Sequence, residues 1–142
     1  MKTAGRFLTL ISLCTAITEP SLAGDGVTGA WLMDNGKVSV RIAPCGEEFC
    51  GTIFAMKKPL DKHGNPKIDR KNPDPAKRTR SVIGITVLSN MRPDGEGNWI
   101  GKIYNADDGH TYNSYLRING DTMKVKACVA IICKSIMFNR LD

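Results

Sequence analysis

The sequence is poor in the residues that carry covalent chemistry. It has two histidines, His63 and His110, and it lacks a Gly-x-Ser-x-Gly elbow, a paired-histidine metal motif and a phosphate-binding glycine loop. That scarcity leaves no catalytic residue to assign, implies no cofactor and no metal, and reads as a non-enzyme. Also missing is any window of about 11 residues with the apolar stripe of an amphipathic helix. No segment reaches the roughly 18 consecutive apolar residues of a spanning helix, so a protein that does not span the membrane is expected.

The start of the chain has the composition of an export signal. Lys2 and Arg6 precede the uncharged run "LTLISLCTAIT", and Ser21 and Ala23 then supply small side chains. The pattern predicts a secretory signal over residues 1–23, cleaved after Ala23, and a periplasmic or secreted protein. An acylated Cys14 is the competing reading; it is disfavoured because Leu13 is bulky and the apolar run continues past the cysteine. Residues 24–142 then form one domain, long enough for one core.

Removal of the signal leaves Cys45, Cys50, Cys128 and Cys133. In an exported chain these read first as two disulfides. A thioredoxin-like site is disfavoured: four residues separate Cys45 from Cys50, Glu47 and Glu48 would raise a neighbouring thiol pKa, and a strand-like "GTIFAM" follows instead of a helix. Four thiolates match structural zinc in number, but an oxidising compartment argues against it. Three disulfide connectivities stay open. Local pairing is favoured because Gly46 and Gly51 supply the freedom of a tight bridged turn.

Charge is unevenly distributed. The chain carries 20 Lys and Arg against 14 Asp and Glu, and residues 57–80, "KKPLDKHGNPKIDRKNPDPAKRTR", carry most of the excess. Pro59, Pro66, Pro73 and Pro75 exclude regular ladder pairing there, so the segment reads as one long basic loop. Asp69, Asn72, Asp74, Lys77, Arg78 and Arg80 suit an internally paired cluster that orders the loop. Alternatively, Arg78 and Arg80, with Lys77 and Asn72, hold a carboxylate or phosphate in forked geometry. A solvated loop over one barrel mouth is the plainest alternative. Nucleic acid is not an expected partner of an exported protein, which points instead to anionic envelope polymers or lipid head groups.

Alternation of apolar and polar residues dominates the rest. Val38, Val40 and Ile42 oppose Lys37, Ser39 and Arg41, and Met123, Val125 and Ala127 repeat the pattern. Asn-Gly pairs in "DNGK" and "INGD" signal tight hairpins, and "RPDGEGN" and "ADDG" are further turns. Asp107, Asp108 and His110 resemble a cation site, but Asp-Asp-Gly at a hairpin is ordinary turn chemistry. Strands are expected over 28–33, 37–43, 51–56, 82–88, 99–104, 110–118, 122–127 and 134–140. Together they predict an all-β fold, an antiparallel eight-stranded barrel.

Gly29-Ala30-Trp31 opens the first strand, and "FNRLD", containing Arg140, closes the last. The pair resembles the calycin and lipocalin pattern, which implies an indole stacked on an arginine at the barrel's closed end. Four ordered stretches, "GAW…DNGKVSVRIAPCGEEFCGTI", "DRKNPDPAKRTRSVIGITVL", "GKIYNADDGHTYNSYLRINGDTMKVKAC" and "CKSIMFNR", resemble the exported bacterial family of domain of unknown function 2147. The resemblance implies a small lipocalin-like barrel and carries over no catalytic residue. Phe138 stands where members of that family usually have Trp. The expected function is a non-enzymatic envelope module that binds a small apolar or anionic molecule; the alternative is an interaction or stress protein docking on a macromolecular partner through residues 57–80.

Overall fold

The alternating stretches become strands because each can bury one face and hydrate the other. In the computed structural model, which describes residues 26–142, these are β1 (Gly29–Met33), β2 (Val38–Cys45), β3 (Glu48–Met56), β4 (Thr86–Pro93), β5 (Asn98–Asn105), β6 (His110–Asn119), β7 (Thr122–Val129) and β8 (Ile132–Arg140). Each strand pairs antiparallel with the next, and β1 pairs with β8 to close the barrel. Closure leaves little unpaired edge, the usual hazard of a sheet. The predicted signal over 1–23, with Cys14, lies outside the described residues. Among those described, no helix is long and apolar enough to cross a membrane.

Most boundaries shift slightly from the pattern-based expectation, with β3 beginning at Glu48 instead of 51, and the largest difference is at β4. The stretch 82–88 does not form one strand, and β4 begins only at Thr86. Gly84 adopts φ +101, which breaks the extended run, while Val82 and Ile85 turn into the core. β4 then continues to Pro93 through a register shift between Ser89 and Arg92, with Asn90 at φ +54. A bulge of this kind re-aims side chains without ending the strand.

The core fills the barrel. Trp31, Met91, Leu116, Met123 and Val125 have no exposed surface, and Ile42, Leu88 and Phe138 have almost none. They come from six strands, β1, β2, β4, β6, β7 and β8, so the interior is a packed side-chain cluster. Because every strand pairs with its sequence neighbour, the β1–β2, β3–β4, β5–β6 and β7–β8 connections share one end of the barrel. The long β3–β4 connection crosses that end.

Disulfides join Cys45 to Cys50 and Cys128 to Cys133. Gly46, at φ +71, allows the first bridged turn. Gly51 has a different role from the one expected: it lies in β3, where a Cβ would meet Leu88 and Val40 at 3.0 Å. Each bridge closes a short loop, for which the chain-entropy relation gives about 2 kcal/mol. Cys128→Ser/Cys133→Ser is therefore expected to lower unfolding stability by about 2 kcal/mol in urea titrations.

Candidate functional site

At the closed end, residues from both termini of the barrel meet. Trp31 is fully buried and its Nε1 donates to the Val27 carbonyl at 3.0 Å. The Arg140 guanidinium lies 4.1 Å from the indole ring and donates to the carbonyls of Thr28 and Gly26. Gly29 makes this approach possible, because a Cβ there would stand 2.9 Å from Arg140 Nη1. Every donor of this arrangement is directed at the protein itself, which makes it a structural lock.

The 57–80 segment is an ordered appendage. Asp69 is fully buried and accepts hydrogen bonds from Tyr104 Oη, from Asn72 Nδ2 at 2.8 Å and from Arg80 Nε and Nη2 at 3.1 and 2.9 Å. Burial pushes the Asp69 carboxyl up, but the hydrogen bonds from Tyr104, Asn72 and Arg80 outweigh it, so it titrates below its ordinary value. Burial and the adjoining Asp69 push the Tyr104 phenol up. Arg78 Nε donates to the Asn72 carbonyl at 2.7 Å, and Asp74 caps the short 3-10 turn Pro75–Lys77, where Lys77 lies 3.9 Å from Asp74. The loop backbone presses against the β5–β6 turn so closely that a Cβ on Gly109 would overlap the Lys71 carbonyl.

The four residues read as anion ligands therefore come together, with their polar groups turned largely toward the loop. Asn72 is buried with its amide between Asp69 and Tyr104, and the Arg80 fork is closed on Asp69. An external anion at Arg78 or Arg80 has to compete with these internal acceptors. The Asp107–His110 turn follows the same logic: Asp108 accepts from the His110 amide, Asn105 Nδ2 and Tyr112 Oη, which is hairpin-turn chemistry.

A different concavity lies on the barrel wall. It has a volume of about 470 Å³ and is lined by residues of β3, β4, β5 and β6, among them Glu48, Asn90, Arg92, Lys102, Asn113 and Tyr115. The β4 bulge creates it: Met91 turns fully inward while Asn90 and Arg92 stay exposed. Gly101 lies beneath, where a Cβ would stand 2.7 Å from the Ser89 carbonyl oxygen. Across the ladder from Gly101, the Ser114 hydroxyl is buried without a partner among the described residues.

The polar groups of this cleft are only loosely committed. Glu48 accepts from Asn90 Nδ2 at 2.9 Å, and Lys102 Nζ donates to Asn113 Oδ1 at 2.6 Å. The Arg92 side chain has no hydrogen-bond or ion-pair partner among the described residues, while its backbone pairs with Ile100 in the ladder. Sequence reading missed this site because its members come from four strands with no shared spacing. Among the described residues, no group of three or more His, Cys, Asp or Glu is arranged to hold a metal ion.

The comparisons with known proteins agree with the architecture. A family model described as "Uncharacterized protein conserved in bacteria (DUF2147)" matches residues 29–140. A solved Helicobacter pylori structure, HP1028, described as belonging to the lipocalin family, superposes with a TM-score of 0.67 at 24% identity, covering 82% of this chain and 83% of that one. At that identity the likeness speaks for the fold alone. No curated protein sequence matches the chain.

Proposed function

The chain belongs to the DUF2147 family of bacterial proteins, and from that premise we propose that it is an exported, non-enzymatic binding module of the cell envelope that takes a small anionic molecule in the β3–β6 wall cleft. The carrying observation is the convergence of Arg92, whose side chain has no partner among the described residues, with Lys102, whose partner is the neutral Asn113. One carboxylate, Glu48, lines the same cleft, so its side chains favour an anion by one charge. Tyr115 and Ile100 add apolar surface suited to a ring or short alkyl portion. The cleft volume falls within the range of small-molecule sites, about 300–1,000 Å³. Trp31, Met91 and their neighbours occupy the barrel interior, which argues for the wall instead of the lumen. Export is supported by two disulfides and by the signal-like start of the sequence.

The test is calorimetric titration with a panel of small carboxylates and phosphates, aromatic and aliphatic. Arg92→Ala/Lys102→Ala is expected to weaken the best binder by about 10- to 100-fold, the loss of one or two charge-assisted hydrogen bonds. Both residues are exposed, so thermal stability should change little. If no member of the panel binds, or if the double variant binds as the wild type does, the cleft is not the site.

A second reading, docking of a macromolecular partner through residues 57–80, rests on a separate observation. Lys57, Lys58, Lys62, Arg70 and Lys71 are exposed and lack ion-pair partners among the described residues. Charge reversal at Lys58 and Lys62 would weaken such docking and leave binding in the cleft unchanged.

A further inference from the structure

The turn between β7 and β8 departs from ordinary turn composition. It reads Val129-Ala130-Ile131-Ile132, held between Cys128 and Cys133, and its side chains face water. Ile131 is 96% exposed, Ile132 72% and Val129 59%. Solitary surface apolar residues are common, but three large ones at the apex of one hairpin form a concentrated apolar knob.

The hairpin also projects. β1 pairs with β8 only from Trp31↔Arg140 to Met33↔Phe138, so Ile132 to Ile136 run past the end of β1. The disulfide fixes the apex in one shape, and Ala130 holds φ +51 within it. Nothing in the core requires these residues: the apolar row of β7 and β8 buries Met123, Val125 and Phe138, then leaves the barrel as Val129 and Ile132.

Two lysines flank the knob. Lys126 and Lys134 lie just below it on the two strands, both exposed. The 57–80 loop, with its nine Lys and Arg against three Asp, crosses the same end of the barrel. A convex apolar apex flanked by Lys126 and Lys134, at an end of the barrel where the basic loop outweighs Asp34, Asp107 and Asp108, matches an anionic bilayer, where side chains enter the headgroup–acyl boundary and lysines remain at the phosphates. A second copy of the chain is a poorer occupant, because two such ends carry like charge.

We propose that the β7–β8 apex is a membrane-docking element, with Val129, Ile131 and Ile132 entering the surface of an anionic phospholipid bilayer and Lys126 and Lys134 binding its headgroups. The element is distinct from the wall cleft, and neither requires the other.

Cosedimentation of the purified protein with vesicles tests it. Vesicles of phosphatidylglycerol and phosphatidylcholine in equal parts should capture the protein in a salt-sensitive manner, and phosphatidylcholine alone should capture it poorly. Ile131→Asp/Ile132→Asp should weaken capture by about tenfold or more while leaving thermal stability unchanged, since both side chains are exposed. Ile131→Trp should show a blue shift of indole emission on addition of the anionic vesicles, beyond any shift of the wild type, a reading that charge attraction alone does not give. The proposal is overturned if the wild type stays in the supernatant, if the aspartate variant binds equally well, or if the emission of the Ile131→Trp variant does not move. A dimer dissolved by Ile131→Asp, without vesicle binding, would assign the apex to a second copy. A crosslinked envelope protein without vesicle binding would assign it to a protein partner.

Discussion

Replacing Trp31 with alanine should lower the unfolding free energy by about 3–5 kcal/mol, the range for large aromatic truncations in a packed core. The indole has no exposed surface and belongs to the packed core cluster, so its removal opens a cavity that the surrounding side chains fill only in part. The hydrogen bond from Nε1 to the Val27 carbonyl also goes, leaving a buried acceptor unpaired. Arg140 loses its aromatic partner but keeps the carbonyls of Thr28 and Gly26. Arg140→Ala should therefore cost less, about 1–2 kcal/mol, combining a partly screened cation–π contact with lost carbonyl contacts. Because domain stabilities run at about 5–15 kcal/mol, the Trp31 variant should sit near the edge of folding. Urea titration monitored by far-UV circular dichroism measures both. A Trp31→Ala protein within about 1 kcal/mol of wild type would mean that the indole does not lock the barrel.

How much of this was visible beforehand depended on the range of the interactions. Alternation and Asn-Gly turns are local, and they placed the barrel strands closely, "KVSVRIA" and "TMKVKA" above all. Gly-Ala-Trp was readable only through its resemblance to the lipocalin pattern; the structure supplies the physical reason, since a Cβ on Gly29 would stand 2.9 Å from Arg140 Nη1. The apolar stretch "SVIGITVL" misled because its composition is that of a strand while Val82 and Ile85 are needed to cover the barrel end, a tertiary demand that overrides local propensity. The bulge at Ser89–Arg92 is marked in the sequence only by Asn90, a residue tolerant of positive φ that a strand reading passes over, and with it went the wall cleft. In the loop, the pairing of Asp69 with Arg80 could be suspected from composition. The third partner, Tyr104, is contributed by β5 and could not. The apolar apex between Cys128 and Cys133 was legible as letters, but only its exposure distinguishes it from a strand end that turns back into the core.

Removal of the Asp69 carboxylate is the second large effect expected, and it should appear in the loop before it appears in the barrel. Taking one partner from a buried ion pair generally costs about 3–5 kcal/mol. Here the Arg80 side chain is 39% exposed and can rehydrate, so Asp69→Ala is expected to cost about 2–4 kcal/mol. The loss falls on the element that Asp69 holds, with Tyr104 on β5, Asn72 beside it and Arg80 across the loop each losing the same acceptor. Limited trypsin digestion reads this directly, because the segment is rich in Lys and Arg but ordered in the wild type. Destabilisation of about 2 kcal/mol raises the open population, and with it the cleavage rate, by about 30-fold when opening is faster than cleavage. Asp69→Asn keeps the shape without the charge and separates the electrostatic part. The folded-state pKa of Asp69 lies below its unfolded value of about 3.9. Its contribution is therefore complete above pH of about 4 and disappears as pH falls through the folded-state value. Wild-type loop protection, read in that acid window by pepsin digestion or amide hydrogen exchange in place of trypsin, should weaken, and the Asp69→Asn loop should show little of the same dependence. Equal protection of wild type and Asp69→Ala at neutral pH would mean that the loop is held by its packing on Gly109 and through Val82 and Ile85 instead of by this carboxylate.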